Sequence, residues 1–245
     1  LGKTNMDEFA ISPVGVSSLG GQTLNPYDTR RTPGGSSAGT AAALAANFAT
    51  VGLGSDTNWS IRLPAFLCSL VGIRPTVGLV SRDGIIPVTL ELDTGGPMAR
   101  TVTDAAILLD VIAGLDPADP ATEASVGQVP ASYTDFLDAD GLRGARIGVA
   151  RWVDTGADPE ILSLVTAAAA DMAGAGAVIL DPMDITGVLD LLTRYNSPQF
   201  FGFTMEHDLN RYLESLGPAA PFKSVREMLS SGRLTAPVAE NLGSL

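Results

Sequence analysis

The chain has 245 residues, 45% of them apolar and 17% charged, a composition that buries a sizeable core and excludes intrinsic disorder. Its net charge of −12, from 27 acidic against 15 basic residues, excludes nucleic acid as the expected partner, since a phosphate backbone calls for a basic face. One cysteine, Cys68, and one histidine, His207, exclude an internal disulfide and a zinc cluster, and no unbroken apolar run reaches the ~18 residues that a membrane-spanning helix requires.

In chain order, the sequence enters in mid-pattern at Leu1 with no charged and apolar leader, which leads us to expect truncation there. Residues 1–35, rich in Gly, Ser, Thr, Asn and Pro, predict loops around short elements. The run SSAGTAAALAANF at 36–48 predicts a helix whose N-terminus carries a Gly-Gly-Ser-Ser turn. ATVGLGSD at 49–56 predicts a buried strand feeding a loop. A second apolar piece, FLCSLVGIRPT, leads into VGLVSRDGIIPV at 77–88, where Gly and Pro are expected to punctuate short strands.

Thr101 or Thr103 is expected to cap a helix over VTDAAILLDVIAG, with Gly114 ending it. The stretch 116–130, DPADPATEASVGQVP, has the composition of a surface loop. RIGVARW at 146–152 and PEILSLVTAAAADMAGAGAVILD at 159–181 predict a buried strand, then a helix returning to another strand. Residues 196–245 read as mixed helix and loop, with DLNRYLESL the clearest amphipathic piece. Alternating strands and helices predict one α/β domain, its mixed central sheet covered by helices on both faces.

Three patterns compete for the chemistry. Gly35-Ser36-Ser37-Ala38-Gly39 matches the Gly-x-Ser-x-Gly elbow and would make Ser37 the nucleophile, but no hydrophobic strand precedes it and its triad would depend on His207 alone. His207 lies in the charged segment EHD, where a surface role is the commoner one. The amides of Gly34–Gly39 at a helix start form a possible anion cradle, yet the Gly-Lys-Ser/Thr ending of a nucleotide loop is absent.

The third pattern is the whole segment from Pro33 to Pro64, PGGSSAGTAAALAANFATVGLGSDTNWSIRLP, with Ser36 and Ser60 standing 24 positions apart. It resembles the signature of the amidase-signature family in both its motifs and their spacing. GKTNMDEFA at 2–10, NPYD at 25–28, VGIRPTVGLVSRDGIIP at 71–87 and DTGGPMARTVTDAAILLDVIAG at 93–114 resemble successive blocks of the same family. The resemblance makes residues 1–120 the signature core and residues 121–245 the variable, substrate-facing half of a single domain truncated at both ends.

What the resemblance implies is a Ser-Ser-Lys amidase. Ser60 is the implied nucleophile, Ser36 on a cis peptide the proton relay, and the backbone N–H groups of Thr57, Asn58, Trp59 and Ser60 the oxyanion hole. Asp56 and Arg62 would hold that loop and Ser37 would join the serine network. The plainer alternatives are an ion pair for Asp56 and Arg62 and a helix cap for Ser37. No metal or organic cofactor is called for, and the implied partner is a small-molecule amide.

Two departures stand out. Asn58-Trp59 replaces the family's Gly-Gly, so either the loop takes a different path with Trp59 walling the acyl pocket, or the oxyanion hole is damaged. Lys3 and Lys223 are the only lysines, and neither lies in the family's lysine context. The chain alone is therefore expected to be inactive. The leading expectation is an amidohydrolase of linear carboxamides. The alternatives are the amidase component of a transamidating complex and a non-catalytic binding module of the same fold.

Overall fold

The computed structural model describes residues 2–151, 156–183, 187, 191, 198–234 and 236–243. Its elements in chain order are β1 (Val16–Ser17), β2 (Gly21–Gln22), α1 (Ala38–Ala45), β3 (Val51–Asp56), α2 (Arg62–Leu67), β4 (Val71–Gly72) and β5 (Thr94–Ala99). There follow α3 (Val102–Ile112), β6 (Arg146–Gly148), α4 (Pro159–Gly174), β7 (Val178–Leu180), α5 (Pro198–Ser215), α6 (Val225–Ser230) and α7 (Ala236–Gly243). This is the mixed α/β fold expected, divided into a larger unit of Leu1–Asp135 with Pro198–Leu245 and a smaller one of Phe136–Ser197.

The larger unit is built around a three-stranded antiparallel sheet of order β3-β5-β4. Its middle strand, TGGPMA, is buried at every position. It escaped the sequence reading because Gly95-Gly96-Pro97 has the composition of a turn, and a proline seldom sits in a central strand. Here the glycines are required by close approach: a Cβ on Gly96 would lie 2.3 Å from the Ile73 carbonyl oxygen. Pro97 lacks a donor but its carbonyl still accepts from the Ile73 N–H at 3.0 Å.

Helices α1 and α2 cover this sheet through Ala41, Leu44, Ile61, Ala65 and Cys68, which pack with Met98 of β5. A second core joins Met205, Leu209 and Leu213 of α5 to Val88, Val225, Met228, Val238 and Leu242; each such aliphatic side chain stabilises by about 1.5–3 kcal/mol when fully buried. As expected, Thr101 caps α3, its Oγ1 accepting from the Asp104 N–H at 3.0 Å.

Two expectations are corrected. Residues 77–88 form no strand, only an isolated bridge between Val80 and Ala113, because Gly78 and Gly84 take positive φ and turn the chain. Residues 116–130 are not simply a surface loop: a 3-10 helix at Pro120–Ser125 buries Thr122 and Ser125. Composition hid this because the burial is of satisfied polar groups. The Thr122 Oγ1 donates to the Asp119 carbonyl at 2.7 Å and Asp119 itself holds Arg82 at 2.6 Å.

In the smaller unit β6 and β7 pair in parallel, Arg146 opposite Val178, with α4 between them in sequence, the strand–helix–strand unit that the pattern predicts, although β6 is largely exposed and not the buried strand expected. The Asp158 carboxylate caps α4 by accepting from the Glu160 N–H at 2.8 Å. Trp152, the last residue of the expected strand at 146–152, lies outside the described residues.

Candidate active site

All the candidate residues lie at the N-terminal ends of α1 and α2 and the end of β3, and short backbone contacts bind them into one site. Ser36 follows a cis peptide bond from Gly35 and is fully buried. Its carbonyl accepts from the Asp7 N–H at 3.1 Å. Its hydroxyl has no hydrogen-bond partner among the described residues, a condition that costs about 1–3 kcal/mol in a buried position. The next amide, Ser37 N–H, donates to the Ser60 carbonyl at 3.1 Å, which ties the two serine-bearing turns together.

Ser37 is not the helix cap that its position suggests. It occupies the N-cap site of α1 but makes no capping bond; its hydroxyl accepts from the Ser55 N–H and donates to the Ser55 carbonyl, each at 3.2 Å. A Cβ on Gly54 would come within 2.7 Å of that hydroxyl, so the glycine next to Ser55 makes room for it. Ser37 also lines a cavity of about 700 Å³ with Asn5, Thr40, Ser55 and Ile85 among its walls. The cavity thus adjoins the serine turns through Ser37.

Ser60 is 4% exposed, at the turn between β3 and α2. Among the described residues the amides of Trp59 and Ser60 donate to no acceptor. Neither Asn58 nor Trp59 has a positive φ, so the loop takes a path that side chains tolerate and the replacement of two glycines leaves no left-handed strain. Trp59 keeps 47% of its surface exposed.

Asp56 anchors this loop. It is buried, and its Oδ2 accepts from the Ile61 N–H at 3.0 Å. Arg62 Nε approaches the same oxygen at 3.3 Å, and its guanidinium also donates to the Asn58 carbonyl. The arrangement goes beyond a plain Asp56–Arg62 ion pair, because Arg74 donates to Asp56 Oδ1 at 2.9 Å, to the Asp56 carbonyl, and to the Leu92 carbonyl at 2.6 Å. Thr57 donates its hydroxyl to Asp93 Oδ1 at 2.5 Å. Arg74 and Asp93 are the site residues that the sequence reading did not single out, although both fall inside blocks that carry the resemblance.

Other chemistry finds no footing here. Burial pushes the Cys68 thiol up to about 11, which suppresses the thiolate a cysteine nucleophile needs. His207 is 57% exposed and faces Asp208, Nδ1 to Oδ1 3.0 Å, as a surface histidine. Lys3 is exposed, and Lys223 Nζ donates to the Gly217 carbonyl at 2.8 Å. Among the described residues no group of three or more His, Cys, Asp or Glu side chains is arranged to hold a metal ion.

A family model described as Amidase matches residues 1–236. A glutamyl-tRNA(Gln) amidotransferase subunit of Koribacter versatilis is 50% identical over 182 residues, 74% of this chain and 37% of that protein. Native peptide amidase from Stenotrophomonas maltophilia superposes with a TM-score of 0.85 at 38% identity, over 100% of this chain and 52% of that one. The corresponding glutamyl-tRNA(Gln) amidotransferase subunit from Thermotoga maritima gives a TM-score of 0.70 at 32% identity, over 98% of this chain and 50% of that one. The chain thus spans between a third and a half of the length of the relatives it matches.

Proposed function

Because the chain belongs to the amidase-signature family, we propose that it carries the serine half of an amide-cleaving centre, which hydrolyses linear carboxamides through an acyl-enzyme on Ser60. The observation that carries this reading is the buried, unpartnered Ser36 hydroxyl, joined through Ser37 to the Ser60 turn. Ser60 Oγ attacks the carbonyl carbon while its proton passes through the Ser36 hydroxyl to a neutral lysine. The oxyanion forms against the amides of Trp59 and Ser60, with Thr57 and Asn58 completing the loop. The C–N bond then breaks, the amine leaves with a proton, and water cleaves the Ser60 ester to the carboxylic acid.

Each partner has a physical reason. An unassisted serine hydroxyl is a weak nucleophile, and lysine serves as a base only where burial or neighbouring charge lowers its pKa. Lys3 and Lys223 are both on exposed segments, and neither is the base of this reading. Asp56, Arg62 and Ser37 act as supports: the first two fix the loop's ends and the third the spacing of the two serine turns.

A second reading, the amidase component of a transamidating complex, is favoured by the 50% identity to an amidotransferase subunit. The TM-score of 0.85 against a peptide amidase and 0.70 against an amidotransferase subunit favours the hydrolase. Both use the same acyl-enzyme and differ in where the ammonia goes.

The test is ammonia release by the full-length protein from aliphatic and aromatic primary amides. Ser60→Ala should lower kcat by at least ~10³-fold, as removal of a nucleophile does, and Ser36→Ala should approach the same loss. Turnover surviving Ser60→Ala would sink the assignment. A folded full-length protein that is silent alone but active with a partner subunit would favour the second reading, and silence in both settings a binding module.

A further inference from the structure

The amides assigned to the oxyanion hole lie on a loop, and a loop holds donors in place only if something outside it fixes both ends. The Ser60 end is fixed by Asp56 and by Ser37. The Thr57 end is fixed by a side chain 36 positions away: Asp93 Oδ1 accepts the Thr57 hydroxyl at 2.5 Å. Asp93 is nearly buried, and its other oxygen accepts from the Val88 N–H at 2.8 Å and the Thr89 N–H at 3.0 Å. One carboxylate therefore closes the turn from Val88 to Asp93 and grips the loop.

That turn is itself held from three further directions. Arg74 donates to the Leu92 carbonyl at 2.6 Å while gripping Asp56. Arg82 donates to the Leu90 carbonyl. The Leu90 N–H donates to Asp208 Oδ2 on α5 at 2.8 Å, and Val88 packs in one cluster with Met205 and Leu209 of the same helix. The chain of contacts from α5 through the turn to Thr57 is continuous, made of part-buried hydrogen bonds and the apolar packing of Val88.

Burial works against Asp93 as an anion, since desolvation raises its pKa and only its hydrogen bonds and Arg82 oppose that. The bonds that oppose the desolvation are those that close the turn at Val88 and Thr89 and the one that grips Thr57.

We propose that the Val88–Asp93 turn is the brace that positions the Thr57–Ser60 loop against α5, with Asp93 as its positioning residue and Asp208 as the anchor on the helix. The role of the loop rests on the acyl-enzyme reading above; the brace itself does not. Asp93 touches no reacting atom. It acts through Thr57, and its removal loosens the Trp59 and Ser60 amides without altering the two serines.

The experiment compares Thr57→Val, Asp93→Ala and Asp93→Asn in the full-length protein by hydrogen exchange and by turnover. Thr57→Val leaves the turn closed and cuts only the grip. In it, exchange at the Ile61 amide, bonded to Asp56 Oδ2, and at the Leu63 amide, bonded to the Trp59 carbonyl, should quicken about ten-fold while that of β3 and α3 stays unchanged. Its kcat should fall about ten-fold at a KM within about two-fold, the mark of an interaction felt mainly in the transition state.

Asp93→Ala should do the same and also open the turn at Val88 and Thr89. Asp93→Asn can still accept from those amides and donate to the Thr57 oxygen, and should restore most of both readouts. Unchanged exchange at Ile61 and Leu63 in Thr57→Val would overturn the brace, as would loosening spread evenly over the unit. Ser60→Ala separates the two claims. If turnover survives it, the acyl-enzyme reading fails while the exchange result still decides the brace.

Discussion

Asp56 takes hydrogen bonds from Ile61, Arg62 and Arg74, yet the two arginines are not equivalent. Arg74 has 20% of its side chain exposed and Arg62 51%, so the Arg74 pair lies in a lower effective dielectric and the Arg62 pair is screened by water. Removing Arg74 leaves a buried carboxylate short of its main counter-charge and frees the Leu92 carbonyl. Arg74→Ala should therefore cost about 3 kcal/mol, and Arg62→Ala no more than about 1 kcal/mol, as read from urea midpoints at neutral pH. Equal losses would mean that Asp56 relies on the Ile61 amide rather than on either cation. Arg62 would still affect turnover through its bond to the Asn58 carbonyl, which makes stability and activity separable at this residue.

At the level of elements, α1 docks against the segment before β1 through a glycine rather than through a large side chain. Gly39 is buried in the first turn of α1, and a Cβ there would lie 2.3 Å from the Asn5 carbonyl oxygen and 2.6 Å from the Asn5 amide nitrogen. Gly39 also donates its own N–H to that carbonyl at 2.9 Å. In an isolated helix Gly→Ala stabilises by about 1 kcal/mol. Here the intruding methyl meets backbone that cannot rotate aside, so Gly39→Ala should destabilise by about 2–3 kcal/mol, as overpacking of a close contact does. A thermal midpoint that rises in Gly39→Ala would refute the close packing.

Such contacts explain what was legible in advance. The helix at 36–48 and the strand at 49–56 were readable because alanine content and β-branched or apolar runs report local preference, although α1 begins only at Ala38, since Ser36 and Ser37 are engaged by the neighbouring turns, and β3 is not the buried strand expected, Val51 and Leu53 being exposed. The strand Thr94–Ala99 was not readable, because its glycines and proline are dictated by neighbours distant in sequence. Among the candidate residues, Ser36, Ser60, Asp56 and Arg62 were singled out through a long spaced motif. Arg74 and Asp93 were not, since what marks them is whom they touch.

Over the whole molecule, the acid response is a contest between carboxylates of opposite shift. Burial raises Asp7 and Asp93 above the ordinary 3.8; the folded state binds their protons more tightly, so they add stability as pH falls and withhold it once pH has risen through their folded values. Asp119 runs the other way. Arg82 holds it at about 2, and both side chains are nearly buried, with 7% and 9% exposed, so solvent screening does little to weaken the pair. A depressed carboxylate contributes stability that is fully present above its unfolded value and is lost as pH falls from about 4 towards 2, here up to about 2 kcal/mol. Asp119→Asn removes that titration while preserving shape. The gap in urea midpoint between wild type and Asp119→Asn should thus be widest above pH ~4.5 and close progressively towards pH ~2, whereas Asp93→Asn should show no such closing. A gap independent of pH would mean that Asp119 acts through its capping bond to Ala121 and not through its charge.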